Sequence, residues 1–393
     1  MSDSSSVQLY YVEESVWGTT PASALNELRY TQESLKQDTQ TAMSEEIRSD
    51  RMVADVIRTS VKAGGDVGAE LSYGAHDDIL AGAFAGSWSS TIALTGSFVF
   101  TINSPASTGT ITGSGAGLSP APFANVVVGQ FLKFKHSGGT TNDGYYLVTA
   151  KPDADTITVS PAPASATTIS GTLKGSQLKN GITRRSFTLE KYFSDLSPAQ
   201  YQSFTGMRVG TAELKIAPGS IVSGKFGFAG KQAASAGVTV GTGPTVAAAT
   251  NDVMNAVDNI GNILIDGSAP SAGVYFTEVS FDINNSTRDQ PAVGQLANVG
   301  IGIGRTQIKG KIASYFQNRT LLDKYLNFTA LSLAFTATDA AGNSYLYHFP
   351  SIKFTQGQVV AGGNDQDVLA DLEFTARRSP TYGFMMAMNR FPA

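Results

Sequence analysis

Cysteine is absent from the 393-residue chain, which excludes disulfides and thiolate metal sites. Histidine is scarce: His76, His136 and His348 lie in separate segments, and no pair has the spacing of a zinc-binding helix. No serine lies in a G-x-S-x-G turn, so the sequence offers no recognisable hydrolase nucleophile. A catalytic triad assembled in space is not excluded by counting residues. These absences argue against an enzyme.

Charged residues are also few, at 15% of the chain, and they leave a net charge of −4. Because a protein that grips duplex DNA needs clustered Lys and Arg, the lack of a basic run predicts no tight DNA binding. No stretch approaches the roughly 20 apolar residues of a membrane span. The N-terminal residues lack the basic and apolar regions of a signal peptide. We therefore expect a chain that begins as a soluble cytoplasmic protein with no membrane partner.

Glycine, in contrast, is abundant, and β-branched, aromatic and small residues dominate between the glycines. This mixture predicts a mainly β fold with many short strands and tight turns. Hydrophobic residues make up 41% of the chain, enough for real cores. The length predicts two or three domains.

The middle of the chain, residues 95–178, is rich in Ser, Thr, Gly, Ala and Pro. Apolar and polar residues alternate at Phe98 and Phe100, and the alternation resumes after the Asn142-Asp-Gly144 turn. We predict a small inserted β domain here. A flexible linker of low charge is the alternative.

The flanking zones look like two copies of one pattern. A strand at 33–38 and a polar loop at 39–50 correspond to a strand at 279–284 and a polar loop at 285–298. The strand that begins at Phe187 corresponds to the one at Leu333, and residues 207–209 correspond to 352–354. Because identity between the copies is low, a chance likeness of two generic β domains is the alternative.

The duplication predicts two tandem β domains. The first domain is expected at 1–94 and 179–235, the inserted β domain at 95–178, and the second domain at 236–393. The N-terminal segment 7–17 is apolar and aromatic, and it either packs across a neighbouring subunit or belongs to its own core.

Two glycine-rich or acidic stretches have an alternative chemical interpretation. The segment Gly300-Ile-Gly-Ile-Gly304 superficially resembles a dinucleotide loop, but the G-x-G-x-x-G pattern and its helix are missing. The pair Asn142-Asp143 and the cluster at 362–367 contain possible calcium ligands without EF-hand spacing, and turns use the same residues. We predict no catalytic, cofactor-binding or metal-binding residue.

The polar loop at 39–50 carries acidic and basic residues side by side. The candidate inter-subunit residues are Glu45, Glu46, Arg48, Asp50 and Arg51. Mixed charges on a loop are suited to salt bridges between subunits or to a solvated face. The alternative is that the two polar loops are mobile and have no partner.

Several stretches taken in order resemble the tail tube (major tail) protein family of long-tailed, non-contractile bacteriophages. They are residues 11–21, 45–51, 187–195, 204–209, 217–228, 253–257 and 315–316. The resemblance covers most of the chain except the middle zone, which resembles the small β insertions that some tail proteins carry on their outer surface.

The resemblance implies that each of the two tandem domains is a β-sandwich or barrel with one short flanking helix. It also implies a structural virion protein whose rings stack into a hollow conduit for DNA. A duplicated tube domain implies trimeric rings with pseudo-sixfold symmetry, although a true hexamer remains the alternative. The implied partners are other copies of the chain, the tail terminator, distal tail proteins, the tape measure protein and loosely held DNA. The rival functions are a carbohydrate-binding or adhesin-like surface module, for which Tyr145 and Tyr146 are the only hint, and a tail terminator or sheath protein.

Overall fold

The computed structural model describes residues 2–104, 107–113, 117–255, 260–270, 274–361 and 363–393. Within these ranges the chain forms 24 β-strands and two short α-helices, so the predicted mainly β fold is confirmed. The predicted segments 253–257 and 362–367 lie partly outside the described residues, at 256, 257 and 362.

The elements follow one another in four stretches. The first contains β1 (Val7–Glu13), β2 (Asn26–Glu27), β3 (Gln32–Glu33), β4 (Lys36–Met43), β5 (Val56–Glu70) and α1 (Asp77–Ala83). The second contains β6 (Ile92–Ile102), β7 (Gly109–Thr112), β8 (Phe131–His136), β9 (Gly144–Ala150), β10 (Thr156–Ser160) and β11 (Thr168–Lys179). The third contains β12 (Phe187–Phe193), β13 (Gln200–Ile216), β14 (Ser223–Gly230) and β15 (Gln232–Ala236). The fourth contains β16 (Ile260–Ile265), β17 (Phe276–Asn284), β18 (Arg288–Gln290), β19 (Gly300–Gly302), β20 (Gln307–Tyr315), α2 (Thr320–Leu326), β21 (Leu331–Thr338), β22 (Ser344–Val360), β23 (Leu369–Ala376) and β24 (Ala387–Phe391).

Strands β6 to β11 close into a six-stranded antiparallel barrel, which we call the inserted barrel. Its strand order is β6–β7–β10–β9–β8–β11, and β11 pairs back with β6. The barrel has its own apolar core, in which Phe98, Phe100 and Phe134 are fully buried. The alternation of apolar and polar residues in the sequence therefore points the aromatic side chains inward, and the described residues of this stretch form a closed barrel.

The strands outside the barrel repeat one arrangement. In the first repeat the order is β4–β5–β14–β13–β12–β1, and in the second repeat it is β17–β20–β23–β22–β21–β16. Every pairing is antiparallel in both repeats. Helix α1 packs against β13 in the first repeat, and α2 packs against β22 in the second.

The two repeats even share their strand irregularities. The register shifts after Val209 in β13 and after Phe354 in β22. It also shifts after Phe187 in β12 and after Leu331 in β21. These shared shifts make Leu331 the residue of the second repeat that corresponds to Phe187. The sequence pattern had indicated Leu333, which is two positions away.

Strand β13 also pairs with β17, and this contact joins the repeats into one eight-stranded sheet. We call it the inner sheet; its order is β4–β5–β14–β13–β17–β20–β23–β22. Alternate residues, such as Leu214, Phe281 and Ile312, are buried in the largest apolar core of the chain. The residues between them form a polar face on the other side of the sheet.

A glycine on the core side of the inner sheet makes room for an aromatic ring. A Cβ atom at Gly310 would lie 2.3 Å from Cζ of Phe374 and 2.5 Å from the backbone oxygen of Ser280. Because neither the packed ring nor the strand can move freely, we expect Gly310→Ala to lower stability by about 1–3 kcal/mol. Urea unfolding measures the loss. The control is Gly261→Ala, where the added Cβ would meet its nearest neighbour at an ordinary 3.5 Å.

A buried polar cluster connects the two repeats with the inserted barrel. The Asp77 carboxylate at the start of α1 accepts a 2.6 Å hydrogen bond from the Tyr345 hydroxyl in β22 and pairs with Arg390 in β24. Arg390 also donates to Ser176 in β11, and its guanidinium lies 4.5 Å from the centre of the Trp88 ring. One carboxylate thus links elements from three parts of the fold.

The N-terminal segment packs within its own chain. Strand β1 pairs with β12, and Leu9 and Tyr11 are buried in the main core. The indole of Trp17 donates a 3.0 Å hydrogen bond to the carbonyl of Gly206. Of the two alternatives, the structure therefore shows the one in which this segment belongs to its own core.

Candidate assembly surfaces

The polar face of the inner sheet carries charges of both signs in alternating rows. Its basic residues are Lys36, Lys62, Lys215, Lys225, Lys309, Lys311 and Lys353; its acidic residues are Asp38, Asp66, Glu70, Glu213, Glu278, Asp282, Asp371 and Glu373. These side chains come from all eight strands because each strand places every second residue on this face. The face is therefore nearly balanced in charge and slightly acidic.

Neighbouring strands pair many of these charges. Lys311 lies 3.3 Å from Asp371 and 3.9 Å from Glu278, and Lys225 lies 3.5 Å from Asp66. Such exposed pairs contribute only about 0–1 kcal/mol each to stability. Their main effect here is that lysines on this surface already have acidic neighbours, which lowers their affinity for phosphate.

Two acidic residues face each other where the repeats join. Glu213 in β13 lies directly opposite Asp282 in β17. Partial burial of the carboxylate raises the pKa of Asp282, although the residue as a whole stays exposed. The positive charge of Lys309 lowers this pKa, and the negative charge of Glu213 raises it further. The charged form of Asp282 is therefore disfavoured in the folded chain.

We expect Asp282→Asn to stabilise the chain at neutral pH. A carboxyl group whose pKa is raised by folding destabilises the folded state while it is ionised, and the cost disappears as the pH falls through that raised pKa toward the unfolded value. The Tm of the Asp282→Asn variant should thus be higher than that of the native chain at pH 7, and the difference should vanish near pH 4. Thermal unfolding across this range measures it. Glu70→Gln, on the same face but outside the junction, should leave the pH profile unchanged.

Both outer strands of the inner sheet leave one edge open. Across the described residues, β4 pairs with β5 alone, and residues 353–360 of β22 pair with β23 alone. Neither edge is protected by a proline or a covering strand in this part of the sheet. Open edges present unpaired N–H and C=O groups and are ready to pair with another chain.

The hairpin between β4 and β5 extends away from the body of the chain. We call residues 39–60 the arm; every residue from 39 to 59 is exposed. Its large apolar residues are exposed to more than half of their area: Met43, Ile47, Met52, Val53, Val56 and Ile57. Exposed apolar residues concentrated on one element mark an interaction surface.

The charged residues predicted for this loop lie at the tip of the arm. Arg48 pairs with Asp50 at 2.8 Å and lies 3.9 Å from Glu46. The hydrogen bond from Arg48 lowers the pKa of Asp50. Among the described residues, Glu45 and Arg51 have no ion-pair partner. The structure therefore brings Arg48, Asp50 and Glu46 together within one loop, and their role between subunits stays a prediction.

The corresponding segment of the second repeat has nearly the same length but a different course. Residues 285–305, the folded loop, lie against the first repeat of the same chain. Asn285 donates hydrogen bonds to the carbonyls of Ala83 at 2.8 Å and Val209 at 3.1 Å. The backbone N–H of Val61 donates to Leu296, and Lys62 pairs with Asp289 at 3.2 Å. The folded loop thus already has its partner within the chain, whereas the arm has none in the described residues.

The sequence did not identify the apolar residues of the arm as functional. The signal was present, since six large apolar residues lie in a segment otherwise rich in charge. Mixed composition, however, hides which residues are exposed until the hairpin geometry is known. The charged residues were predicted instead because charged side chains in a loop are expected to lie at the surface.

The remaining motifs have structural roles. His348 and His76 are buried; burial lowers the pKa of His348 to about 3, and it also lowers the pKa of His76. His348 is therefore not suited to exchange protons near neutral pH. Gly300 and Gly302 lie in the short hairpin of β18 and β19 rather than before a helix.

The possible calcium ligands and the aromatic pair of the inserted barrel are also occupied. The Asn142 side chain bonds to both backbone groups of Ser165, and Asp143 accepts from the backbone N–H of His136. No cluster of metal-binding side chains occurs within the described ranges. Tyr146 is buried, and Tyr145 packs on Phe391. These tyrosines therefore do not form an exposed sugar-binding platform.

Comparisons with known proteins support the same picture of a structural subunit. A family model described as phage tail tube protein matches residues 4–376, nearly the whole chain. No curated protein matches the chain. Within the described residues, neither helix is long or apolar enough to span a bilayer.

Proposed function

Because the chain belongs to the phage tail tube protein family, and is thus a structural component of the virion tail, we propose that three copies form each ring of a hollow tail tube that conducts viral DNA into the host. The main observation that supports this proposal is the structure of the inner sheet. One of its faces covers the core, the other is polar and nearly charge-balanced, and both of its edges are open.

The repeated architecture supports a ring of three chains. Each chain supplies two equivalent four-stranded halves of the inner sheet, so three chains supply six. Eight strands from each chain give a closed sheet of about 24 strands, which is about 50 Å across at ~4.8 Å spacing and 40–45° tilt. Side chains narrow the channel to about 40 Å, which is wide enough for duplex DNA. In this proposal the two repeats correspond to the domains expected at 1–94 with 179–235 and at 236–393.

The polar face of the inner sheet is proposed to line the channel. Each unpaired lysine or arginine on a channel wall would add salt-sensitive affinity for phosphate, multiplied over many rings. Here the lysines alternate with a slight excess of carboxylates. DNA and the tape measure protein can therefore move past this wall without being held.

The arm is proposed to connect stacked rings. Its exposed apolar residues can be buried only by another molecule, and Glu45, Glu46, Arg48, Asp50 and Arg51 surround that contact with charge of both signs. At the two ends of the tube, the tail terminator and distal tail proteins would take the place of the next ring. The inserted barrel, which packs on the side of the chain away from the polar face, is proposed to lie on the outer surface.

We also propose a non-enzymatic role. The family is structural, and burial lowers the pKa of His348 to about 3, far below the range that acid–base catalysis near neutral pH requires. No observation of this structure favours the carbohydrate-binding alternative, because Tyr145 and Tyr146 are engaged in packing.

Negative-stain electron microscopy of the purified protein at high concentration tests the proposal. Hollow stacked tubes, with free rings of trimeric mass, are the expected result. Mass measurement of free rings separates trimers from hexamers. Persistent monomers at every concentration and salt, even after addition of tail-tip proteins to initiate assembly, would refute the tube.

A further inference from the structure

The two repeats of one chain meet at an internal junction. A closed ring would also need a junction between two chains, and the internal junction can serve as its template. In that internal junction, β13 of the first repeat pairs with β17 of the second. Thr211 lies opposite Asn284, and the pairing continues to Ile216 opposite Val279. By position in the repeats, β22 corresponds to β13, and β4 corresponds to β17. These are the two strands whose outer edges are open.

The shared strand irregularity aligns β22 with β13. The register shift that precedes Thr211 in β13 precedes Gln356 in β22. Glu213, two residues after Thr211, therefore corresponds to Gln358.

Pairing through the sheet aligns β4 with β17. Gly65 lies opposite Phe228 in the first repeat, and Gly310 lies opposite Phe374 in the second. The next residue pairs along each hairpin are Lys36 with Gly64 and Asp282 with Lys309. Lys36 therefore corresponds to Asp282.

We infer that β22 of one subunit pairs antiparallel with β4 of a second copy, with Gln358 opposite Lys36. The pairing extends from Gln356 opposite Asp38 to Val360 opposite Ser34. At Leu35 it replaces two hydrogen bonds within the chain, from the backbone N–H to Glu33 and from Lys191 to the carbonyl. This inference rests on the proposed ring and specifies its subunit junction. It reproduces, between chains, the register that joins Glu213 to Asp282 within the chain.

The side chains at this junction are compatible with the inferred register. The internal junction places two carboxylates opposite each other, whereas the inferred one places a neutral amide opposite an ammonium group. On the core side, Val359 meets Leu35, as Leu214 meets Phe281 at the internal junction. Apolar pairs on one face and polar pairs on the other continue the sheet without a break.

The two helices give independent support. Helix α1 lies at the internal junction, where Leu80 and Phe84 line an apolar cavity together with Phe281 and Tyr347 of the second repeat. Five residues of α1 are buried. Helix α2 occupies the same position beside the open edge of β22, yet only Leu321 of this helix is buried.

The apolar surface around α2 is therefore incomplete in one chain. Leu326 at its end is 67% exposed, and Phe328 just beyond it is 55% exposed. The first repeat of a second copy, docked in the inferred register, covers α2 as the second repeat covers α1. The occupant of this surface is thus a second copy of the chain.

Cysteine cross-linking tests the register cleanly because the chain has no cysteine of its own. The test variant is Lys36→Cys/Gln358→Cys, and the matched control is Glu213→Cys/Asp282→Cys at the corresponding internal positions. Opposed residues come close enough for a disulfide in a non-hydrogen-bonded pair. The hydrogen bond from the Asn285 N–H to the Gly210 carbonyl makes Glu213 and Asp282 such a pair. Under oxidation the control should form a bond within one chain, and the test variant should form covalent oligomers. An off-register variant, Gln40→Cys/Gln358→Cys, should remain uncross-linked.

The outcomes separate the register from the proposed function. Tubes in the microscope with no cross-link in the test variant, while the control bond forms, would overturn the register and leave the tube intact. Absence of tubes and of cross-links would overturn both. If a cysteine variant fails to fold, the pairing can be tested by hydrogen exchange of the native chain before and after assembly. Assembly should slow exchange at 34–38 and 356–360, and unchanged exchange at these residues in assembled tubes would refute the pairing.

Discussion

Asp77→Ala is expected to lower the free energy of unfolding by about 3 kcal/mol, because it removes the acidic partner of a partly buried ion pair and the acceptor of a buried hydroxyl. The Asp77 side chain pairs with Arg390, whose side chain is 28% exposed, and accepts a hydrogen bond from the buried Tyr345 hydroxyl. Without it, the guanidinium loses an ion-pair partner and the buried hydroxyl loses its acceptor. The three parts of the fold that meet here lose their shared anchor, so unfolding should also become less cooperative.

The adjacent residue provides a matched control. Asp78 lies in the same helical turn, is exposed, and makes a 3.1 Å hydrogen bond with the Tyr11 hydroxyl. Asp78→Ala should cost about 1 kcal/mol, as for an ordinary hydrogen bond. Urea unfolding followed by tryptophan fluorescence compares the two, since Trp88 lies against Arg390. Equal effects of the two substitutions would show that the buried cluster has no special role.

The sequence predicted the strands well because each inward residue is apolar and each outward residue is polar. The alternation at Phe98 and Phe100 correctly indicated a barrel strand, and residues 33–38 align with 279–284 in the observed pairing. Phe187 was aligned two positions away from its counterpart, because the irregularities in β12 and β21 are invisible in an alternating pattern. The expected domain boundaries remain predictions.

The assembly surfaces were harder to predict for two physical reasons. A period of two identifies two faces of a strand but not which edge of the sheet is left open. In addition, the arm and the folded loop have similar lengths and polar compositions, yet only the folded loop finds a partner within the chain. The role of Asp77 also depends on Arg390, which lies 313 residues away along the chain. Long-range pairing of this kind leaves no local signal.

Removing apolar surface from the arm is expected to abolish stacking while leaving the subunit folded. Ile47 is fully exposed and Met52 is 70% exposed, so Ile47→Ser/Met52→Ser should change the stability of the single chain by no more than about 0.5 kcal/mol. In an assembled tube, each buried large apolar side chain contributes about 1.5–3 kcal/mol, and about 1.4 kcal/mol is a tenfold change in association. The double substitution should therefore weaken ring stacking by at least about a hundredfold, measured as tube yield by sedimentation and electron microscopy.

The charge control, Glu45→Gln/Arg51→Gln, should reduce the yield only slightly because exposed ion pairs contribute about 0–1 kcal/mol. Normal tubes from the apolar variant, together with loss of tubes from the charge variant, would show instead that salt bridges hold the rings together.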